Sequence, residues 1–256
     1  MSFYDHFDEL RGRFMRCLVV FFLGFIACYF IAEPILGFLR KPLFDVMPLD
    51  QQKLYFTSLF ENFMTHLKIA GYASLFLLSP FYFYQIWAFV APGLYPKEKK
   101  LVFPFVFAAT VFFLGGAAFA YFVLFPVGFK YFISYGTASD VPLLTIDSYY
   151  STCLKLLLLF GLAFELPVLI SFLGFLGLVD ADFLRKNRRT ATIGITVVAA
   201  LFAPPDAVSM LLLGIPLVLL FEGSIWVVHW FGLKRASQLN GTEETAYNPF
   251  EGRSKP

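Results

Sequence analysis

Charged side chains are what this chain has least of. Asp, Glu, Lys and Arg make up 15% of its 256 residues and hydrophobic residues 59%, where soluble domains carry about 25% charged residues. That shortage excludes an ordinary water-soluble globule and points to a bilayer as the solvent. The net charge is only +2. The basic residues fall in clusters and not along a face, which excludes a nucleic-acid partner. Cysteine is rare, and Cys17, Cys28 and Cys153 sit in or beside apolar runs without ligand spacing, as small buried hydrophobes do. Histidine is as scarce, with His6, His66 and His229 in three different segments. No metal or cofactor is therefore expected. H-E-x-x-H, G-x-S-x-G and P-loop motifs are missing, so no enzyme is expected either. Asp5, Asp8 and Glu9 spoil the basic start of a cleavable signal. No half of the chain repeats the other, which argues against the commoner transporter folds.

What is there is a series of apolar runs, several long enough to cross about 30 Å of hydrocarbon. They predict an all-α integral membrane protein with six spans, at about 14–32, 69–90, 101–125, 156–179, 190–203 and 207–230. Pro80 predicts a kink inside the second span. Gly115-Gly116 predicts a close helix approach in the third. The fifth run, at about 14 residues and roughly 21 Å, is shorter than a bilayer. Ahead of the first span, residues 2–16 read as an amphipathic surface helix with Phe7, Leu10 and Phe14 on one face. Glu9 and Arg13 form an i, i+4 pair on it. Residues 34–66, with Pro42, and 130–153 read as two long connections, and 234–256 as a disordered polar tail. Six passes put both termini on one side. Fourteen of the 20 Lys and Arg residues lie in the segments sharing that side, 2–16, 97–100, 185–189 and 234–255. The positive-inside rule makes it the cytoplasmic side.

Few polar residues remain to carry function. In QIWAFVAPGLYPKEKK (Gln85 to Lys100), Trp87 and Phe89 make an aromatic shoulder at the membrane interface and Pro92-Gly93 turns the chain. Glu98 stands among Lys97, Lys99 and Lys100. Glu9 and Glu98 share the cytoplasmic side. They are either solvated acids paired with their neighbours or two carboxylates facing a cationic ligand, for which a pair of guanidinium groups is the best geometric match. Glu165 lies in mid-span, where a carboxylate must pair, face water or be protonated. It is a helix-packing hydrogen bond or a site that wets the membrane interior. Glu222 is close enough to the cytoplasmic end to snorkel. Asp206, following Pro204-Pro205, reads as the N-cap of the last helix.

From about residue 6 to 233 the chain resembles the TatC family, the multi-spanning component of the twin-arginine protein translocase. The resemblance is an ordered series: HFDELRGR (His6 to Arg13), Pro42, the E-x-F of Glu61 and Phe63, PFYFYQIWAFVAPGLYPKEKK (Pro80 to Lys100), FAYFVLFP (Phe119 to Pro126), FGLAFELP (Phe160 to Pro167), LRKNRR (Leu184 to Arg189), PPD (Pro204 to Asp206) and P-x-x-x-L-F-E (Pro216 to Glu222).

That resemblance implies a concave bundle of six helices with both termini inside, the last two helices short, in a prokaryotic cytoplasmic membrane. It implies a receptor for the twin-arginine signal peptides of folded cargo, oligomeric in its complex. The partners would be the single-span TatA and TatB, and export would draw on the proton-motive force. Glu9 and Glu98 match the family's signal-binding acids, and Arg11 and Phe89 match positions linked to recognition. Glu165 matches the family's intramembrane acid. Two positions depart: Ala203 where the family has Thr, and Met210 where it has Gln. A more apolar docking surface for a partner helix is therefore expected, from Leu201, Phe202, Ala203, Met210 and Leu213. The alternative reading is a secondary transporter or ion-coupled channel using Glu165.

Overall fold

A backbone in hydrocarbon has no water to bond, so apolar runs of this length close their hydrogen bonds within helices. The computed structural model describes residues 3–91, 102–134, 143–202 and 207–246. Among them every long element is helical: α1 (Phe3–Phe30), α2 (Ala32–Phe44), α3 (Glu61–Leu77), α4 (Ser79–Val90), α5 (Val102–Phe119), α6 (Phe125–Ser134), α7 (Ile146–Phe175), α8 (Ala181–Lys186), α9 (Arg188–Phe202) and α10 (Ala207–Ala246). Tyr4–Phe30, Val102–Ser134, Ile146–Phe175 and Met210–Trp230 are each long and apolar enough to cross a membrane. The pair α3–α4, bent by 56°, makes a fifth candidate. The bend falls at Leu78, just ahead of Pro80, where the ring cannot continue the helical ladder. α9 has 15 residues, about 22 Å, and coincides with the short fifth run.

Several boundaries differ from expectation. The amphipathic segment and the first span form one continuous helix, because no residue between Phe3 and Phe30 breaks it. The connection after it is largely helical (α2), with Pro42 buried inside. α7 begins ten residues before 156 and ends at Phe175. α10 continues to Ala246 through the stretch expected to be a disordered tail. Leu, Lys, Arg, Ala, Gln and Glu dominate there, and such residues prolong a helix already nucleated.

The chain divides into two compact units, Met1–Glu165 and Leu166–Pro256. In the first, α1 packs along α3 and α4. Ser74 donates from Oγ to the Phe21 carbonyl at 3.1 Å. A Cβ on Gly24 would lie 2.6 Å from that same Oγ, so only glycine lets the helices approach this closely. Gly116, and not Gly115, makes the other close approach: a Cβ there would run into the Phe160 carbonyl.

α2 is held by tyrosines. Pro42 has no N–H, so the carbonyl of Phe38, four residues earlier, loses its helical donor. Tyr121 supplies one, its hydroxyl donating to Phe38 O at 2.8 Å, with its ring stacked on Phe38. Tyr121 sits in a single π-helical turn, Ala120–Leu124, between α5 and α6. Tyr149 and Tyr150 donate likewise to Leu39 O (2.7 Å) and Leu36 O (3.1 Å).

Glu61 ties the same end of the unit together. Its Oε2 accepts from Thr57 N–H (2.6 Å), the Thr57 hydroxyl (2.9 Å) and Ser58 N–H (3.3 Å), while Oε1 accepts from Asp147 N–H (2.8 Å) at the start of α7. In the second unit Leu184, Phe221, Ile225 and Val228 form the buried core.

Candidate functional site

His6, Glu9 and Arg13 follow at i, i+3 and i+7 and so share one face of α1. Gln85 and Phe89, four apart, share one face of α4. The antiparallel packing of the two helices brings these faces together. Arg13 reaches Glu9 Oε1 through both Nε (3.0 Å) and Nη2 (2.6 Å), and donates from Nη1 to Gln85 Oε1 at 3.2 Å. The His6 ring stacks on Phe89 with centroids 4.3 Å apart and planes 17° apart. Its Nδ1 stands 3.9 Å from Glu9 Oε2, too far for a hydrogen bond.

The result is asymmetric. One Glu9 oxygen carries both guanidinium bonds. The other, Oε2, is buried and has no hydrogen-bond partner among the described residues. An orphaned carboxylate oxygen is worth about 1–3 kcal/mol to whatever donor reaches it. A planar donor with several N–H groups suits the place, and the His6–Phe89 stack beside it offers a face to an apolar or planar group.

The other expected residues fall as follows. Arg11 is exposed on α1. Trp87 is not an interfacial belt residue: it is 5% exposed and stacks on Phe105 of α5 at 5.0 Å. Glu98, Pro92 and Gly93 lie outside the described residues, as do Ala203, Pro204, Pro205, Asp206 and the Phe202 side chain. Glu165 is buried in α7 and its Oε1 has no hydrogen-bond partner among the described residues. Glu222 meets Arg188 at 2.8 Å, which anchors it at the basic end of α9. Leu201 is open and Met210 half-buried, but Leu213 is 4% exposed and already packed, so it offers no surface. The open apolar positions of α10 are Val208, Leu211, Ile215 and Leu219, at helical spacing.

Gln85 and His6 were not singled out from the sequence. The i, i+3 step from His6 to Glu9 and the i, i+4 step from Gln85 to Phe89 were the available signals. The described residues contain no group of three His, Cys, Asp or Glu able to hold a metal.

Comparison with known proteins completes the picture. The family described as Sec-independent protein translocase protein (TatC) matches residues 5–216. The Sec-independent protein translocase protein TatC of Desulforapulum autotrophicum is 39% identical over 246 residues, 96% of this chain and 90% of that one. The protein of the same name from Campylobacter jejuni is 38% identical over 224 residues, 87% of this chain and 91% of that one. A crystal structure of the twin-arginine translocase receptor TatC is similar with a TM-score of 0.78 and 31% identity, over 87% of this chain and 97% of that one.

Proposed function

The chain belongs to the TatC family of Sec-independent protein translocase proteins, and from that premise we propose that Glu9 is where it receives a guanidinium of a twin-arginine signal peptide. It is a multi-pass protein of the inner membrane and a component of the Tat translocase. Its part is that of a receptor and scaffold without chemistry of its own, working with TatA and TatB on folded cargo and drawing on the proton-motive force.

The observation that carries this reading is the buried, unpartnered Oε2 of Glu9 beside Arg13 and the His6–Phe89 stack. In the signal-free site Arg13 occupies the carboxylate that an incoming arginine needs. Its Nη1 already rests on Gln85, so Arg13 keeps one anchor when it releases Glu9. The arriving guanidinium then takes both carboxylate oxygens in the bidentate fork that lysine cannot form. The signal's apolar part lies along Phe89, and Glu98 is the second acid, for the second arginine.

The test is binding of an Arg-Arg signal peptide and its Lys-Lys variant to the full chain in nanodiscs. The Arg-Arg peptide binds and the Lys-Lys peptide is weakened by tenfold or more, the equivalent of about 1.4 kcal/mol. Glu9→Gln brings the Arg-Arg peptide down to the Lys-Lys level. Unchanged binding by Glu9→Gln would overturn the assignment.

A further inference from the structure

The end of the first unit remote from Glu9 carries a feature that signal recognition does not use. α1 and α3 run antiparallel, so the His66–Glu33 contact (3.4 Å) marks the end opposite the His6–Phe89 stack. There a cavity of about 900 Å³ opens between α3, the 57–60 segment and the first turns of α7, a size usual for small-ligand sites. Two ammonium groups, Lys68 and Lys155, line it together with Ser148, Ser151 and Thr152.

The two carboxylates and two ammonium groups of this cavity sum to zero, but they are not paired one to one. Glu61 is satisfied by the four N–H and O–H donors described above. Asp147 is paired with Lys68, and Ser151 bonds to both, accepting from Lys68 at 3.0 Å and donating to Asp147 at 3.2 Å. Lys155 is left exposed, with no ion pair among the described residues. It lies nine residues into α7, about 14 Å along the helix, immediately ahead of the uncharged run expected from 156, which is where a lipid headgroup meets the hydrocarbon. Leu154, beside it, is also a wall of a second cavity of about 420 Å³, lined by Ile35, Ile69, Ala73, Phe76 and Leu157 and so apolar.

We propose that this pair of cavities binds an anionic phospholipid: the phosphodiester lies on Lys155 with the hydroxyls of Ser148 and Thr152 around it, and an acyl chain lies in the apolar cavity. The ammonium of Lys155, without an ion pair among the described residues, is a local counter-charge for a phosphodiester; phosphatidylglycerol brings no cation of its own to satisfy that group, whereas phosphatidylcholine does. The adjoining apolar space distinguishes a lipid from a free phosphate ion. The lipid belongs to the leaflet opposite the one Glu9 faces.

The experiment uses the full chain, delipidated in detergent, with thermal unfolding followed against added dioleoyl phosphatidylglycerol, dioleoyl phosphatidylcholine or inorganic phosphate. Phosphatidylglycerol raises Tm and the other two do not. Lys155→Gln removes the phosphatidylglycerol-dependent rise and leaves the lipid-free Tm unchanged, since its side chain is exposed. An equal rise with phosphatidylcholine, an equal rise with inorganic phosphate, or an undiminished rise in Lys155→Gln would each overturn the proposal. As a readout independent of the variant, a photoreactive phosphatidylglycerol labels residues 148–155 of the native chain, and labelling confined to other segments would also overturn it.

Discussion

The Glu9 carboxylate is already spoken for by Arg13, and that decides what arginine recognition means in this chain. On the proposed reading a signal guanidinium would not meet a bare acid. It would exchange with a side chain that makes the same kind of bond to the same oxygen. Arg13 would then be a competitor as well as a neighbour. The pair is partly exposed, about one-fifth on each side, so its net worth is about 1 kcal/mol at most. Arg13→Gln is expected to tighten signal-peptide binding by several-fold, the equivalent of about 1 kcal/mol. The double variant Glu9→Gln/Arg13→Gln should bind as weakly as Glu9→Gln alone. Titration of a labelled Arg-Arg peptide against the four proteins checks this. If Arg13→Gln weakened binding as much as Glu9→Gln does, Arg13 would be a contact and not a competitor. The Glu9–Arg13 pair was legible in the sequence because i, i+4 spacing is local. Gln85 was not, since it meets Arg13 across 72 residues and no periodicity reports an antiparallel partner. Trp87 was misplaced for a related reason: an aromatic at a span end suits an interface, and only the packing of α5 buries it.

At the scale of the element, the proline in α2 explains a distant irregularity. Pro42 was read as part of a connection, because proline usually ends helices. The helix survives around it because Tyr121 gives the orphaned Phe38 carbonyl a donor, and the π turn at Ala120–Leu124 carries that tyrosine. Tyr121→Phe is expected to cost about 1 kcal/mol by leaving a part-buried carbonyl unpaired. In a Pro42→Ala background the restored N–H can take over, so the same change should cost clearly less. A double-mutant cycle on thermal unfolding measures the difference, and additive costs would separate the two residues. The docking surface is a second matter of helix faces. From one sequence, Leu213 was grouped with Leu201 and Met210, but its side chain is buried while Leu211 and Ile215 are open. A photocrosslinker at Leu211 or Ile215 is therefore expected to capture a TatA or TatB helix during transport, and one at Leu213 is not. Capture from Leu213 alone would restore the original grouping.

For the molecule as a whole, the apolar runs settled the class of fold, and the ordered motifs settled the family, because both are properties of sequence order. The boundaries were less legible: helices run past the membrane edge at α1 and α7, where hydropathy stops but backbone bonding does not. Two observations bear on transport. α9 is about 22 Å long, against roughly 30 Å of hydrocarbon, and as a membrane pass it would thin the bilayer around it or tilt its flanks inward. Glu165 is a buried carboxyl in α7 with one oxygen that has no hydrogen-bond partner among the described residues, and such a group inside a membrane draws water or polar headgroups toward itself. We propose that both lower the barrier that a folded cargo must cross; neither belongs to the Glu9 site. Glu165→Ala is therefore expected to leave signal-peptide affinity unchanged while transport falls. The loss should be smaller in proteoliposomes of short-chain lipid, which are thin already, than in long-chain ones. Transport assayed in both, with insertion and signal binding as controls, separates the cases. Wild-type transport by Glu165→Ala in the long-chain vesicles would remove this role, and a loss equal in thick and thin bilayers would assign Glu165 to partner contacts and not to thinning.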